Sequence, residues 1–271
     1  MRIEQGSSSG SAVFLFAHQD DEFGVFQSIE RDRARGLRIR IAYLTTGVSD
    51  GRSPIFRNAE SLRVLSSMGI PAEDIVFAGS LLTIADGSLS DRLTEVVHWL
   101  TDWLKSIADL ERLYVPAWEG GHPDHDSLHA AALIAASRAG CCSSLRQFPL
   151  YNAYLRTGPF FRVMCPLPDN GTVERVRIPW RNRLRFLRNC LQYPSQARSW
   201  LGLFPFAAFH YLVVGAESLQ HVSLARLRDR PHVGSLYYER RRFSTWQQVS
   251  SAVNACLRNQ PAGSVAIQGI E

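Results

Sequence analysis

The sequence predicts an α/β fold, a mostly parallel sheet with helices on both faces, followed by an irregular C-terminal cap region. Three observations predict it. Short apolar runs alternate with amphipathic stretches through the first 150 residues. Glycines stand where several of those stretches need a helix C-terminus. Two of the apolar runs end in compact clusters of histidine and acid. Strands alternating with helices imply parallel pairing and right-handed crossovers.

The elements follow in order. Residues 13–17 (VFLFA) are continuously apolar and read as a buried strand. Residues 23–35 read as a helix closed by Gly36, and 37–44 as a second strand. A loop over 45–53 carries Gly47 and Asp50-Gly51. Residues 57–68 are helical, ended by Gly69 with Pro71 just beyond. Residues 75–77 form a short strand. Residues 91–107 are amphipathic, with Leu93, Val96, Val97, Leu100 and Leu104 on one stripe and Asp91 as N-cap. Residues 112–115 are a strand, and 126–139 an Ala-rich helix closed by Gly140. The pattern then weakens: strands over 147–155 and 174–178, a helix over 182–191, an apolar run over 210–214 and a terminal helix over 246–257.

At 271 residues the chain fits one domain: a Rossmann-like core over 1–150, a C-terminal elaboration and cap over 151–260, and a loose tail over 261–271. No segment is long and apolar enough to span a membrane. The N-terminus lacks the basic and apolar regions of a secretory signal, so the expected location is cytoplasmic. Net charge is +5, carried almost wholly by arginine, since Lys105 is the only lysine. Arginine clusters at 181–188 and 240–242 read as a solvated helix face and a loop. The sharper reading is contact with an anionic or hydroxyl-rich substrate. No recognition motif accompanies the charge, so no nucleic-acid partner is expected. Five cysteines without CxxC spacing argue against a disulfide framework.

The chemistry sits in the two polar clusters. His18-Gln19-Asp20-Asp21-Glu22 follows the first strand, and His122-Pro123-Asp124-His125-Asp126 follows the strand at 112–115. In a parallel sheet both strand ends open on one edge, where ligands bind. Adjacent carboxylates at Asp20 and Asp21 repel each other unless a cation or a shared proton compensates. Acids at a helix N-terminus also suit its dipole, which is the plain structural reading of the first cluster alone. The second cluster tips the balance. Two histidines and a carboxylate make a three-ligand catalytic zinc site with one position open, leaving an Asp as general base and a His for an oxyanion.

The first cluster, preceded by Ala17, resembles the Ala-His-Pro-Asp-Asp-Glu motif of the PIG-L/LmbE-like N-acetylglucosaminyl deacetylases. His122-Pro123-Asp124-His125 resembles that family's second motif intact. Residues 57–70 (RNAESLRVLSSMGI) are similar to its Arg/Glu-bearing helix, and 182–196 to a later helix followed by Ser-Gln. The likeness covers roughly 12–200. It implies zinc, or another divalent metal such as Fe2+, bound by His18, Asp21 and His125. It implies Asp20 as general base, His122 as electrophile or acid at the oxyanion, and Asp124 as the group orienting His122. Arg57 corresponds to a residue that contacts the substrate sugar, and Glu60 is expected to orient Arg57 or the motif loop. Gln19 replaces the usual Pro, which loosens the turn or adds a hydrogen bond but removes no catalytic group.

Other residues are weighed on position alone. Asp86, in the loop after the third strand, is expected to touch a sugar hydroxyl. Trp118, beside Glu119 in a Pro/Gly loop, is a candidate wall of the sugar pocket. His98 reads as a surface or packing residue, His129 as a packing residue, and His210 as a residue before a strand that could face the site. Tyr237 and Tyr238 form a candidate lid. The implied activity is hydrolysis of the N-acetyl group of a small-molecule amino sugar or glycoconjugate. Deacylation of another N-acyl compound (a thiol conjugate or an antibiotic intermediate) and non-catalytic sugar binding are the alternatives. A homo-oligomer is compatible with the sequence.

Overall fold

A computed structural model describes residues 10–49 and 51–258. The N-terminal polar run up to residue 9, Asp50 and the tail over 261–271 lie outside the described residues. The elements are β1 (Ser11–Phe16), α1 (Phe26–Ala34), β2 (Arg38–Tyr43), α2 (Ile55–Ser67), β3 (Ile75–Val76), α3 (Ala78–Leu81), α4 (Leu93–Lys105), β4 (Leu110–Pro116), α5 (Pro123–Ala139), β5 (Leu145–Phe148), β6 (Tyr151–Asn152), β7 (Arg162–Val163), β8 (Val173–Arg177), α6 (Trp180–Cys190), α7 (Ala197–Phe209), β9 (Ala216–His221), α8 (Tyr237–Arg240) and α9 (Trp246–Arg258).

Seven strands form one sheet in the order β3-β2-β1-β4-β5-β9-β8, and β6 pairs with β7 separately. The run from β3 to β5 is parallel. β9 lies antiparallel to β5, and β8 antiparallel to β9. The C-terminal half therefore widens the sheet as well as capping it. From β1 the chain winds outward to β2 and β3, then returns to β4 on the other side. The β1/β4 junction is the switch point where an open α/β sheet has its crevice.

Both faces of β1 are buried, which is why the strand is continuously apolar. Ala12, Phe14 and Phe16 pack in the layer with α1, α2, α6 and α7. Val13, Leu15 and Ala17 pack in the layer with α4, α5 and α9. The Phe14 and Tyr114 rings stack at 4.4 Å across β1 and β4.

The structure departs from the sequence reading in five places. A 3-10 turn, Leu89–Arg92, precedes α4, so Asp91 sits inside that turn and caps nothing. Helix α5 starts at Pro123, because His122 is its N-cap and Pro suits the first helical position. The expected strand over 147–155 breaks into β5 and β6. The run at 210–214 is a π turn (His210–Val214) continuing α7, closed by Gly215 in the left-handed region. Helix α7 has no counterpart in the sequence reading. Pro205 lies inside it, and its apolar residues point both inward and outward.

Candidate active site

The two motif turns meet at the carboxyl ends of β1 and β4. Asp21 Oδ2 accepts from the backbone amides of Ala17 (3.1 Å) and His18 (2.8 Å), which fixes its carboxylate in the turn. That leaves Asp21 Oδ1 facing His125 Nε2 at 3.1 Å. His125 Nε2 also lies 3.2 Å from His18 Nδ1, and His18 Nδ1 lies 3.7 Å from Asp21 Oδ2. Ligand atoms about 2.0–2.2 Å from a tetrahedral cation stand roughly 3.3–3.6 Å apart. Two ring nitrogens facing each other beside a carboxylate, all buried, fit a divalent cation better than they fit one another.

The far side of His18 is held as metal-bound imidazoles usually are. Its Nε2–H donates to Asp124 Oδ2 at 3.0 Å, with Asp86 Oδ1 at 3.1 Å. Asp124 is locked in turn by the amides of Gly87 (2.7 Å) and Leu89 (3.0 Å). Its expected partner, His122, lies farther off, with Nδ1 3.8 Å from Asp124 Oδ2. Asp124 therefore orients His18 rather than His122, because the loop over 86–89 draws its carboxylate toward β1. The link to His122 is instead through the backbone: the Asp124 N–H donates to His122 Nδ1 at 3.3 Å, the N-cap bond of α5. His18, Asp86, His122 and Asp124 form a second group of converging polar atoms. There, however, Asp124 already has two amide donors, and Asp86 is partly exposed.

Asp20 takes the left-handed conformation, φ 111°, which costs energy for a non-glycine residue. The distortion aims its carboxylate into the cavity, between two donors. Arg57 Nη2 meets Asp20 Oδ1 at 2.9 Å, and Trp200 Nε1–H donates to Asp20 Oδ2 at 3.1 Å. Arg57 is buried and also donates to the carbonyls of Gly47 and Gln19. It lines the cavity, but its firmest partners are the turn and Asp20. Glu60 does not orient Arg57: its carboxylate accepts from the Ser195 amide (2.9 Å) and hydroxyl (2.5 Å), tying α2 to the turn before α7. Gln19 is fully buried and donates to Asn58 Oδ1 at 2.7 Å, a hydrogen bond that Pro would lack.

The electrostatics follow from burial and neighbours. Burial pushes Asp20 up to about 7, Arg57 opposing and the charges of Asp21 and Glu22 assisting. Burial works the same way on Asp21, but His125 and His18 outweigh it and hold Asp21 low. For His18, burial favours the neutral ring, yet the carboxylates of Asp86, Asp124 and Asp21 raise it well above its ordinary value. This local surplus of negative charge is what a cation would neutralise. Burial, helped by the charge of His18, lowers His122 to about 4. His122 is thus a neutral ring whose Nδ1 is an acceptor, which assigns its proton to Nε2.

Beneath the second motif lie two further buried carboxylates. Asp126 Oδ1 accepts from the amides of Glu119 and Gly120. Glu119 accepts from Leu150, Tyr151 and Asn152. Burial raises Asp126 to about 8 and Glu119 to about 7. Gly121 is required here, since a side-chain carbon on it would overlap the Tyr151 carbonyl.

The motifs form the floor of a cavity of about 340 Å³. His18, Asp20, Asp21, Asp86, His122 and Arg57 all reach it; His125 and Asp124 lie just below, fully buried. Asp86 lines the cavity, while its nearest partner is His18. Trp118 does not reach it. Its ring is fully buried against His129 and Trp246, and its N–H donates to the Asp229 carbonyl. The loop turns this side chain under the sheet, into the layer with α5 and α9. His129 is a packing residue, donating to Pro116 O at 2.9 Å. His210 is buried on the π turn, bonded to Ala216 O and away from this cavity. Tyr237 lines the cavity and Tyr238 is buried behind it.

Sequence reasoning missed the walls. Tyr151 and Phe161 form one side, and α7 with Arg198 and Leu203 the other. Tyr151 carried a usable signal, because it follows the carboxyl end of β5, next to β4 on the same sheet edge. Helix α7 carried none.

Residues 13–136 match the family model described as PIG-L: GlcNAc-PI de-N-acetylase. Among solved structures, the chain is similar to the A40926 pseudoaglycone deacetylase Dbv21, at 17% identity over 79% of this chain and 98% of that one, TM-score 0.56. The zinc inhibited form of teicoplanin deacetylase Orf2 is similar at 17% identity over 78% and 97%, TM-score 0.57. A conserved protein from Thermus thermophilus is similar at 19% identity over 78% and 94%, TM-score 0.55. At these identities the structural likeness is one of fold. No curated protein matches the chain in sequence. Over residues 13–136, which include both motif turns, the chain is similar to the PIG-L family.

Proposed function

We propose that the protein is a metal-dependent N-deacetylase that hydrolyses the acetamide of an amino sugar or its conjugate, with zinc as the cation. The observation that carries this reading is the convergence of His18 Nδ1, Asp21 and His125 Nε2 beside a carboxylate, Asp20, that stands outside this group and is held by Arg57 and Trp200. The match to the PIG-L family model over residues 13–136 and the deacetylase activity named for the similar folds support the substrate class. When bound, a divalent cation lowers the pKa of water and polarises the amide carbonyl.

The chain's own residues supply the remaining chemistry. Asp20, raised to about 7, is poised to accept a proton from the attacking water near neutral pH. Arg57 and Trp200 hold its two oxygens in place. His122 is neutral, with its proton on Nε2 at the cavity surface, and donates a hydrogen bond to the oxyanion as the carbonyl becomes tetrahedral. The N-terminus of α5 behind it adds a favourable dipole. Asp124 and Asp86 hold His18 in the orientation that keeps Nδ1 toward Asp21 and His125. Tyr151, Phe161, Tyr237 and Phe243 provide apolar faces for the sugar ring.

The test pairs metal analysis with an acetate-release screen over N-acetyl amino sugars and other N-acyl compounds. Metal at one equivalent with acetate release supports the reading. Full activity after chelation removes it, and release only from non-sugar substrates moves it to a different deacylase.

A further inference from the structure

Helix α7 turns Trp200 and Ala207 inward and Leu201, Pro205 and Phe209 outward, at four-residue spacing. The π turn carries this outer face on to Val213. Leu201 is 82% exposed, Phe209 62% and Val213 64%. Phe160, 60% exposed, stands across a groove that Phe206 and Phe209 also line. Contiguous apolar surface of this kind is uncommon on a soluble monomer and marks an interaction site.

The segment that carries it has charge of one sign. Residues 175–216 contain seven arginines and no aspartate or glutamate. Arg183 donates to the Leu212 carbonyl at the edge of the patch. Arg156 and Arg162 line the groove. Arg198 precedes Leu201 by three residues on α7. Arg185 is turned to Glu30 at 3.1 Å and belongs to the fold.

We propose that this face docks on an anionic lipid bilayer, with Leu201, Phe209 and Val213 entering the headgroup boundary and the arginines engaging the lipid charge. An apolar crown bordered by arginine has the composition of an interfacial helix. Among the described residues no helix is long and apolar enough to cross a membrane, so α7 lies on the surface. A second copy of the chain fits worse. A two-fold contact would set these arginines against themselves with no carboxylate in the segment to pair them. Docking also has a geometric consequence. Phe161 lines both the groove and the catalytic cavity, and Arg198, Gly202 and Leu203 of α7 line the cavity as well. Docking on this face therefore brings the α7 wall of the cavity next to the lipid surface.

The full-length chain is sedimented with phosphatidylcholine vesicles and with vesicles containing phosphatidylglycerol, at low and high salt. Each arginine near an anionic surface multiplies binding roughly fivefold, so anionic vesicles bind at least about tenfold more protein and salt weakens the effect. The double variant Leu201→Glu, Val213→Glu loses this binding while keeping the parent's circular dichroism and its turnover of a soluble substrate. Arg181→Glu, an exposed position on the adjoining helix α6, serves as an independent charge probe and weakens anionic binding alone. Equal binding to neutral and anionic vesicles, or undiminished binding by the folded double variant, overturns the proposal. So does a dimer in sedimentation velocity that the double variant dissolves, which would assign the face to a second copy.

Discussion

The indole N–H of Trp200 donates to Asp20 Oδ2 at 3.1 Å, joining a helix of the C-terminal half to the first motif turn. Asp20 is thereby gripped from two sides, by Trp200 and by Arg57. Its ionised form depends on both donors, although burial favours the protonated one. Trp200 also packs edge-on against Phe23 at 5.3 Å.

Trp200→Phe keeps most of that packing and removes the donor. A hydrogen bond to a charged group is worth about 1.5–3 kcal/mol, and 1.36 kcal/mol is one pKa unit. The acidic limb of the kcat profile moves up by about one unit. Turnover falls at pH 6 and largely recovers at pH 8, and a profile parallel to the parent's would separate Trp200 from the base.

Asp20→Asn removes the proton acceptor without removing a proposed ligand. The expected loss in kcat is about 10²–10⁴-fold, with metal content unchanged by elemental analysis. In the parent, activity rises with pH through a limb no higher than about 7, since a nearby cation lowers an acid further. Loss of metal in the variant would make Asp20 a ligand instead.

Asp124→Asn keeps the shape of the loop-anchored side chain and weakens its hold on His18 Nε2. Changes to such outer partners typically cost 10–100-fold in metal affinity or activity. Titration with a competing chelator should show the affinity loss, and excess metal should restore part of the rate. If the rate drops with affinity intact, Asp124 acts through His122 after all.

Asp126 and Glu119 make stability depend on pH. Both are raised in the folded state, to about 8 and about 7, from ordinary unfolded values near 4. Between those limits the folded chain keeps protons that the unfolded chain has released. Their contribution is fully present below pH 4 and is lost as pH rises through 7 to 8. Urea midpoints measured from about pH 5 to pH 8 should fall with pH, and Asp126→Asn should flatten that slope. An unchanged slope in the variant would mean Asp126 ionises normally.

Much of the core was legible because its pattern is local. β1 is apolar on both faces, and Gly36, Gly69 and Gly140 close helices where expected. The two motifs announce themselves by composition, and their strand-end positions follow from parallel pairing. Helix α7 was hidden by Pro205 and by apolar residues on all sides, a pattern that periodicity cannot assign. Trp118 was misplaced because a loop sequence does not say which way its side chain turns.

The sequence by itself determined the α/β alternation and the two motif turns with their histidines and acids, since those rest on local pattern and residue type. Tertiary structure alone decided the partners: Asp124 to His18 rather than to His122, Glu60 to Ser195, Trp200 to Asp20. Each joins residues from separate turns and helices, and a carboxylate goes to whichever donors the packed backbone brings within about 3 Å.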